Sequence, residues 1–365
     1  MEMIKMNYNR LRWLFCICLA LILCAPAVSA STNAYHMEAL GEFAATIAMD
    51  ELDFDYGDSD VVVLTDAGRV VVDGQTTEKA VSGITKVSGL QNGDSSLFQI
   101  NRADWKDLWF YFYERDTGKG LYLVPKESYF SLTDAAVESL PPENAFSTIA
   151  VVSGDLYLML ENTNAGNKTQ DVLGDDAFSI LSLANAWAYG APYDLMNAAS
   201  LHNHFCPGVS SGYILAKYVE ENMPLTDETS YVVVSCPTWC KEDIYNVLWD
   251  MTPGKGGVDT SAVFTDEDQT YLTEKYGTRP AGIFVLWNSQ ENSGKGIALG
   301  FRFDDSEWTG PSWGSKIYQT VDMVQNLDNP GDYVEVMEEF TVDADLLAEL
   351  ENPLNNPYEV VGMMD

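Results

Sequence analysis

An α+β fold built from two tandem repeats is predicted by three features of this 365-residue chain. A small-residue helix precedes a valine run twice, at 39–52 before Val61-Val62-Val63 and at 207–221 before Val232-Val233-Val234. Gly-Lys-Gly joins the last two strands of each copy, at 118–120 and 294–296. Between these landmarks both copies follow one order, helix, strand, helix, Gly-rich turn and hairpin, which mixes helices and strands without a strict alternation.

The first copy, within residues 31–140, opens with the helix from Ala39 to Leu52. The strand Val61–Thr65 follows, then a helix around Glu78 to Ile84, a Gly-rich turn at 89–93 and the aromatic strand Leu108–Tyr113. The turn at 118–120 leads into Leu121–Val124. Trp109 to Tyr113 reads as core rather than as a ligand platform. The connecting segment, 141–200, is polar and acidic at first. It then becomes a near-continuous apolar helix, Ala177–Ala188, broken by Gly190-Ala191-Pro192 before a short helix, Tyr193–Ser200. Its sequon, Asn167-Lys168-Thr169, is compatible with glycosylation.

The second copy, residues 201–305, repeats the order with the helix Pro207–Glu221, stopped by Pro224, and the strand Tyr231–Ser235. The helix Lys241–Asp250, a Gly-rich turn at 252–257, the strand Gly282–Trp287 and the strand Ile297–Phe303 complete it. Residues 306–365 add a helix, Lys316–Leu327, and an acidic tail without visible chemistry.

Composition narrows the function. Acids outnumber bases 55 to 20, a net charge of −35, and such a surface repels a phosphate backbone, so nucleic acid is excluded as a general partner. Hydrophobic residues make up 46% of the chain, enough for a sizeable core, which excludes collagen-like and disordered classes. Residues 1–30 read as a signal peptide. Lys5, Arg10 and Arg12 precede the apolar run Trp13–Leu23, and Val28-Ser29-Ala30 places small residues at −3 and −1 of a cleavage point. The expected product is an exported, extracytoplasmic protein beginning near Ser31, with 17 bases against 54 acids and thus a net −37. No later run is long enough for stable membrane insertion.

Cleavage removes Cys16, Cys18 and Cys24 and leaves Cys206, Cys236 and Cys240, an odd count that a full disulfide framework does not give. Two of the three histidines share five residues with one of these cysteines, His202-Asn203-His204-Phe205-Cys206. The third, His36, reads as a surface histidine. If 202–206 is extended, His202, His204 and Cys206 point the same way. Pro207 suits a first helical turn, so Cys206 falls at an N-cap, where free N–H groups favour a thiolate. Cys236-Pro237-Thr238-Trp239-Cys240 ends the valine strand, and Asp243 stands where a carboxylate either caps a helix or moves protons. Imidazole nitrogen and thiolate sulfur suit Zn²⁺ or a similar transition metal. The candidate ligands are His202, His204, Cys206, Cys240 and Cys236. A Cys236–Cys240 disulfide is the alternative, and it leaves three ligands and an open position. Gly254-Lys255-Gly256 lacks the Walker spacing, and no nucleophile elbow is present.

At these residues the sequence resembles the FmdE-like family, named for a component of formylmethanofuran dehydrogenase. The resemblance rests on His202-Asn203-His204-Phe205-Cys206-Pro207-Gly208 with Gly212, then Cys240-Lys241-Glu242-Asp243-Ile244, then Thr252-Pro253-Gly254-Lys255-Gly256 and the strand Gly296–Phe303. It covers roughly 195–305, with the first copy as a degenerate echo. It implies an α+β core that forms an intertwined, often zinc-bearing dimer in relatives, which a tandem copy in one chain would replace by a pseudo-dimer. It carries metal or active-site roles to His202, His204, Cys206 and Cys240, with Asp243 nearby. Asp250-Met251 stands where relatives often have Gly-Cys, and Cys236 is an addition.

The leading expectation is an exported metal-binding protein, with zinc as the first choice of ion. An enzyme with an open coordination site, in which Asp243 moves protons, is the second reading. A thiol–disulfide protein using Cys236 and Cys240 is the third. The expected partner is a metal ion, and homo-oligomerisation is left open.

Overall fold

The computed structural model describes residues 33–303 and 308–364, so the expected signal peptide at 1–30 lies outside the described residues. Helices and mixed sheets make the protein α+β. The chain divides into two compact units, one running to Glu114 and including Gly120–Val151, the other comprising Arg115–Lys119 and the chain from Val152 onward.

In the first unit, α1 covers 33–52 and is followed by β1 (Val61–Thr65), α2 (Lys79–Ser88), β2 (Leu97–Gln99), β3 (Phe110–Glu114), β4 (Lys119–Pro125) and β5 (Phe146–Ser153). The sheet order is β2-β1-β3-β4-β5, with β1 parallel to β2 and antiparallel to β3. Every residue of β1 is buried, as a run of β-branched side chains in a strand covered on both faces should be. Val61, Val63, Phe110 and Phe112 pack with Leu40, Ala44 and Ile84 of the helices. A Cβ on Gly41 would lie 1.9 Å from the Ala80 carbonyl oxygen, so only glycine lets α1 come this close to α2. His36 departs from the surface reading. It is 3% exposed, its Nε2 lies 2.9 Å from Asp134 Oδ1, and its carbonyl accepts the Tyr129 hydroxyl.

The second unit contains α3 (Ala177–Ala188), α4 (Tyr193–His202), α5 (Pro207–Asn222), β6 (Thr229–Ser235), α6 (Glu242–Leu248) and β7 (Val258–Thr260). It continues with α7 (Asp266–Tyr276), β8 (Arg279–Asn288), β9 (Ser293–Phe301), α8 (Ser315–Gln325) and β10 (Val334–Asp343). Its sheet runs β7-β6-β8-β9-β10, with β6 parallel to β7 and antiparallel to β8. Val233 stands between Val258 and Phe284, as Val63 stands between Leu97 and Phe112 in the first unit.

The acidic C-terminal segment is no tail. β10 pairs antiparallel with β9, and its acids cluster at the edge while Val334, Met337 and Val342 turn inward. Charged residues on an edge strand keep it from pairing further. Leu347, Leu350 and Tyr358 then share a core with Val232, Val234, Ile283 and Val285. The sequon lies within a helix, Thr163–Leu173, and its Thr169 hydroxyl is turned inward onto the Ser153 carbonyl. Among the described residues, no helix is long and apolar enough to cross a membrane.

Candidate metal centre

His202 is the last residue of α4 rather than part of an extended run. The helix ends because Asn203 adopts the left-handed conformation, φ 77°, that asparagine tolerates better than most residues. The chain therefore turns sharply, and the rings of His202 and His204 come to 4.3 Å between centroids. The helix α3 holds this corner in place: the Ser179 hydroxyl bonds the Asn203 carbonyl, and the Phe205 N–H donates to Ser182 Oγ at 3.0 Å. Cys206 is extended and caps α5, with Pro207 in its first turn.

Cys240 reaches the same point from the loop after β6. Glycines set its distance from α5. A Cβ on Gly212 would lie 2.6 Å from the Lys241 carbonyl oxygen, and one on Gly208 would lie 3.3 Å from Cys240 Sγ. The loop is clamped by Lys241, whose ammonium is fully buried and donates to Pro237 O at 2.6 Å, to Ser235 Oγ at 3.0 Å and to Glu242. It also stands 3.9 Å from the centre of the Trp239 ring. Burial lowers the Lys241 pKa to about 8 against the opposing pull of Glu242. Glu242 in turn accepts the Trp239 N–H at 2.9 Å. Sequence reasoning did not assign Lys241 and Glu242 a role. Their signal was a lysine–glutamate pair directly after a candidate ligand.

The outcome is a compact group. His202, His204, Cys206 and Cys240 each offer one donor atom, and these atoms all lie within 4.8 Å of one another. Asp243 does not cap a helix here. Its Oδ2 lies 2.6 Å from His202 Nδ1. That contact fixes the ring and turns Nε2 inward, where this buried nitrogen has no hydrogen-bond partner. A carboxylate on one imidazole nitrogen and a bare second nitrogen is the arrangement of a metal-binding histidine.

Electrostatics within the group departs from one expectation. The Cys240 thiol is pulled toward its charged form and the N-capping Cys206 thiol away from it. The Cys206 thiol donates to Cys240, and His202 and His204 support the same sulfur, so the Cys240 pKa falls well below the usual thiol range. The Cys206 pKa rises, because it supplies that proton and because it is buried; the N–H groups of Gly208 and Val209 pull weakly the other way. For His202 burial disfavours the charge, but the Asp243 carboxylate and the nearby Cys240 sulfur outweigh it and raise the pKa to about 9. A divalent ion would replace these shared protons, and the donor set, two imidazoles and two sulfurs, fits zinc or a metal of similar softness.

Cys236 falls outside the group. It continues the alternation of Val232 and Val234 and so faces the core formed with Leu347 and Tyr358, where burial pushes its thiol up to about 12. Its carbonyl accepts the Tyr358 hydroxyl at 2.6 Å. Ser235, one residue earlier, takes the opposite face and meets Lys241 and Glu242. Among the described residues Cys206, Cys236 and Cys240 are all free thiols, so the disulfide alternative is not the arrangement of this structure.

Residues 201–319 match the family described as "FmdE, Molybdenum formylmethanofuran dehydrogenase operon". No curated protein matches the chain. The matched segment begins one residue before His202 and takes in β6, α6, β8 and β9. The chain thus carries an FmdE-like domain, and all four clustered donors belong to it.

Proposed function

We propose that this FmdE-like domain binds one zinc ion, or a transition metal of similar softness, through His202, His204, Cys206 and Cys240, in a protein that is exported. The observation that carries the reading is the inward-facing His202 Nε2, buried without a partner amid three other donors and oriented by Asp243. An unpaired polar atom in such a place is unfavourable unless something binds it. Four protein donors fill a tetrahedral shell, which favours holding an ion over a hydrolytic role that needs an open position. Asp243 then acts on the ion indirectly, by orienting His202. Export is supported by the basic start, apolar run and Val28-Ser29-Ala30 of residues 1–30.

The two units are, in this reading, diverged copies; the shared strand order and the matched neighbours of Val63 and Val233 support it. Elemental analysis of the purified protein tests the proposal. Near-stoichiometric zinc that disappears in a Cys206→Ser, His204→Ala variant supports it, and a wild-type protein that takes up no transition metal refutes it. N-terminal sequencing of protein recovered outside the cytoplasm, beginning near Ser31, tests export.

A further inference from the structure

In the FmdE-like domain, a cavity of about 500 Å³ opens between the end of α7 and the strands β8 and β9. Its walls include Gln269, Thr278, Arg279, Phe301, Arg302 and Phe303, and among the described residues no carboxylate lines it. In a chain of net charge −35 that is unexpected. Four other cavities each carry at least one acid, among them Glu220, Asp322, Asp268 and Glu267. Here two arginines line the wall instead.

Arg279 is exposed and, among the described residues, has no carboxylate partner. Its guanidinium stacks 4.8 Å from the Trp239 ring centre and 5.8 Å from that of Phe303. Stacking on ring faces fixes the plane of the fork and leaves its N–H donors available for a planar anion. Arg302 is paired with Glu335, so its charge is partly spent. Thr278 adds a second, independent sign. It is 3% exposed and its Oγ1 is buried with no hydrogen-bond partner. Room for that side chain exists because residue 300 is glycine; a Cβ there would lie 2.2 Å from Thr278 Cγ2. Phe301 and Phe303, 4.8 Å apart, supply an apolar wall.

We propose that this cavity binds a small organic carboxylate with a flat apolar body, its carboxylate on Arg279 and Thr278 and its body against Phe301 and Phe303. A cavity of this size suits such a ligand, with a largely polar lining for its charged head and the edge of Phe303 for its body. None of the four metal donors lines this cavity; Trp239, next to Cys240, is the residue that both sites touch.

Calorimetric titration of the full chain with benzoate tests this, with benzamide and inorganic phosphate as comparators. Benzoate is expected to bind at least tenfold more tightly than benzamide or phosphate. Arg279→Gln should weaken benzoate at least tenfold and Arg279→Lys less, since lysine keeps the charge but loses the fork. Thr278→Val should weaken it severalfold. Metal content should be the same in all three variants, which shows that the domain is folded. Equal affinity for benzoate and benzamide, no benzoate binding at millimolar concentration, tighter binding of phosphate, or an Arg279→Gln variant with unchanged affinity would each overturn the proposal.

Discussion

In the first unit α1 meets α2 at Gly41, and in the second α5 meets α6 at Gly212; in both, a backbone carbonyl of the later helix segment occupies the space of the missing Cβ. Six residues before the contact glycine stands Tyr35 in one unit and Cys206 in the other. After the valine strand, the first unit ties its loop with Thr77, which bonds Gly68 N and Val70 O. The second unit ends its loop in Cys240 and clamps it with Lys241. The two sheets have the same order. A close approach of two helical segments at a glycine is thus found in both. Among the described residues, clustered donors stand beside that approach in the second unit only.

Removing a donor should separate the units most sharply. Cys206→Ser or Cys240→Ser is expected to lower bound metal from about one ion per chain to background by elemental analysis, because a sulfur ligand is lost outright. Retained stoichiometry in both variants would show that the ion sits elsewhere. Next in size is Asp243→Asn, which keeps the hydrogen bond weakly but loses the charge that orients His202. Affinity measured against a competing chelator should fall about 10- to 100-fold.

The glycine contacts sharpen the comparison. Gly212→Ala and Gly41→Ala each force a methyl group into a backbone carbonyl, and each should destabilise the protein by about 1–3 kcal/mol in denaturant unfolding. Only Gly212→Ala should also weaken metal binding, because Lys241 adjoins Cys240. Equal effects of the two on metal affinity would count against a scaffold role confined to each unit.

Protonation gives a graded effect. The His202 pKa is raised from 6.5 to about 9 in the metal-free protein, so its charged form contributes stability that is fully present below about pH 6.5 and is lost as the pH rises through about 9. Metal must displace that proton, so affinity should strengthen across the same window, by up to about tenfold per pH unit for each proton released. Chelator competition at several pH values checks this; a flat profile would mean that His202 is not a ligand. Smallest is His36→Gln, which breaks the pairing with Asp134 and should lower stability by about 1 kcal/mol with no change in metal content.

The α+β elements were legible because valine runs, glycine turns and helix stops are local signals. Val61–Thr65 and Ala177–Ala188 are strand and helix with the bounds the sequence suggests. The donors were legible as residue types close together in the chain. What escaped depends on contacts between distant residues or on parity. Asp243 meets His202 across 41 positions, which no spacing rule foretells. Cys236 looked like a ligand from its distance to Cys240, yet the strand's period of two sends it to the opposite face. His202 looked extended because the capping role of Asn203 depends on where α4 ends. The strand at 334–343 was hidden by its acids, which mark an edge rather than a tail.

X-ray absorption at the metal edge of the purified, metal-loaded protein addresses the four-donor centre most directly. The expected shell is two sulfurs at about 2.3 Å and two nitrogens at about 2.0–2.1 Å, unchanged in Cys236→Ser. A shell of oxygen and nitrogen alone, or a sulfur lost on replacing Cys236, would contradict it.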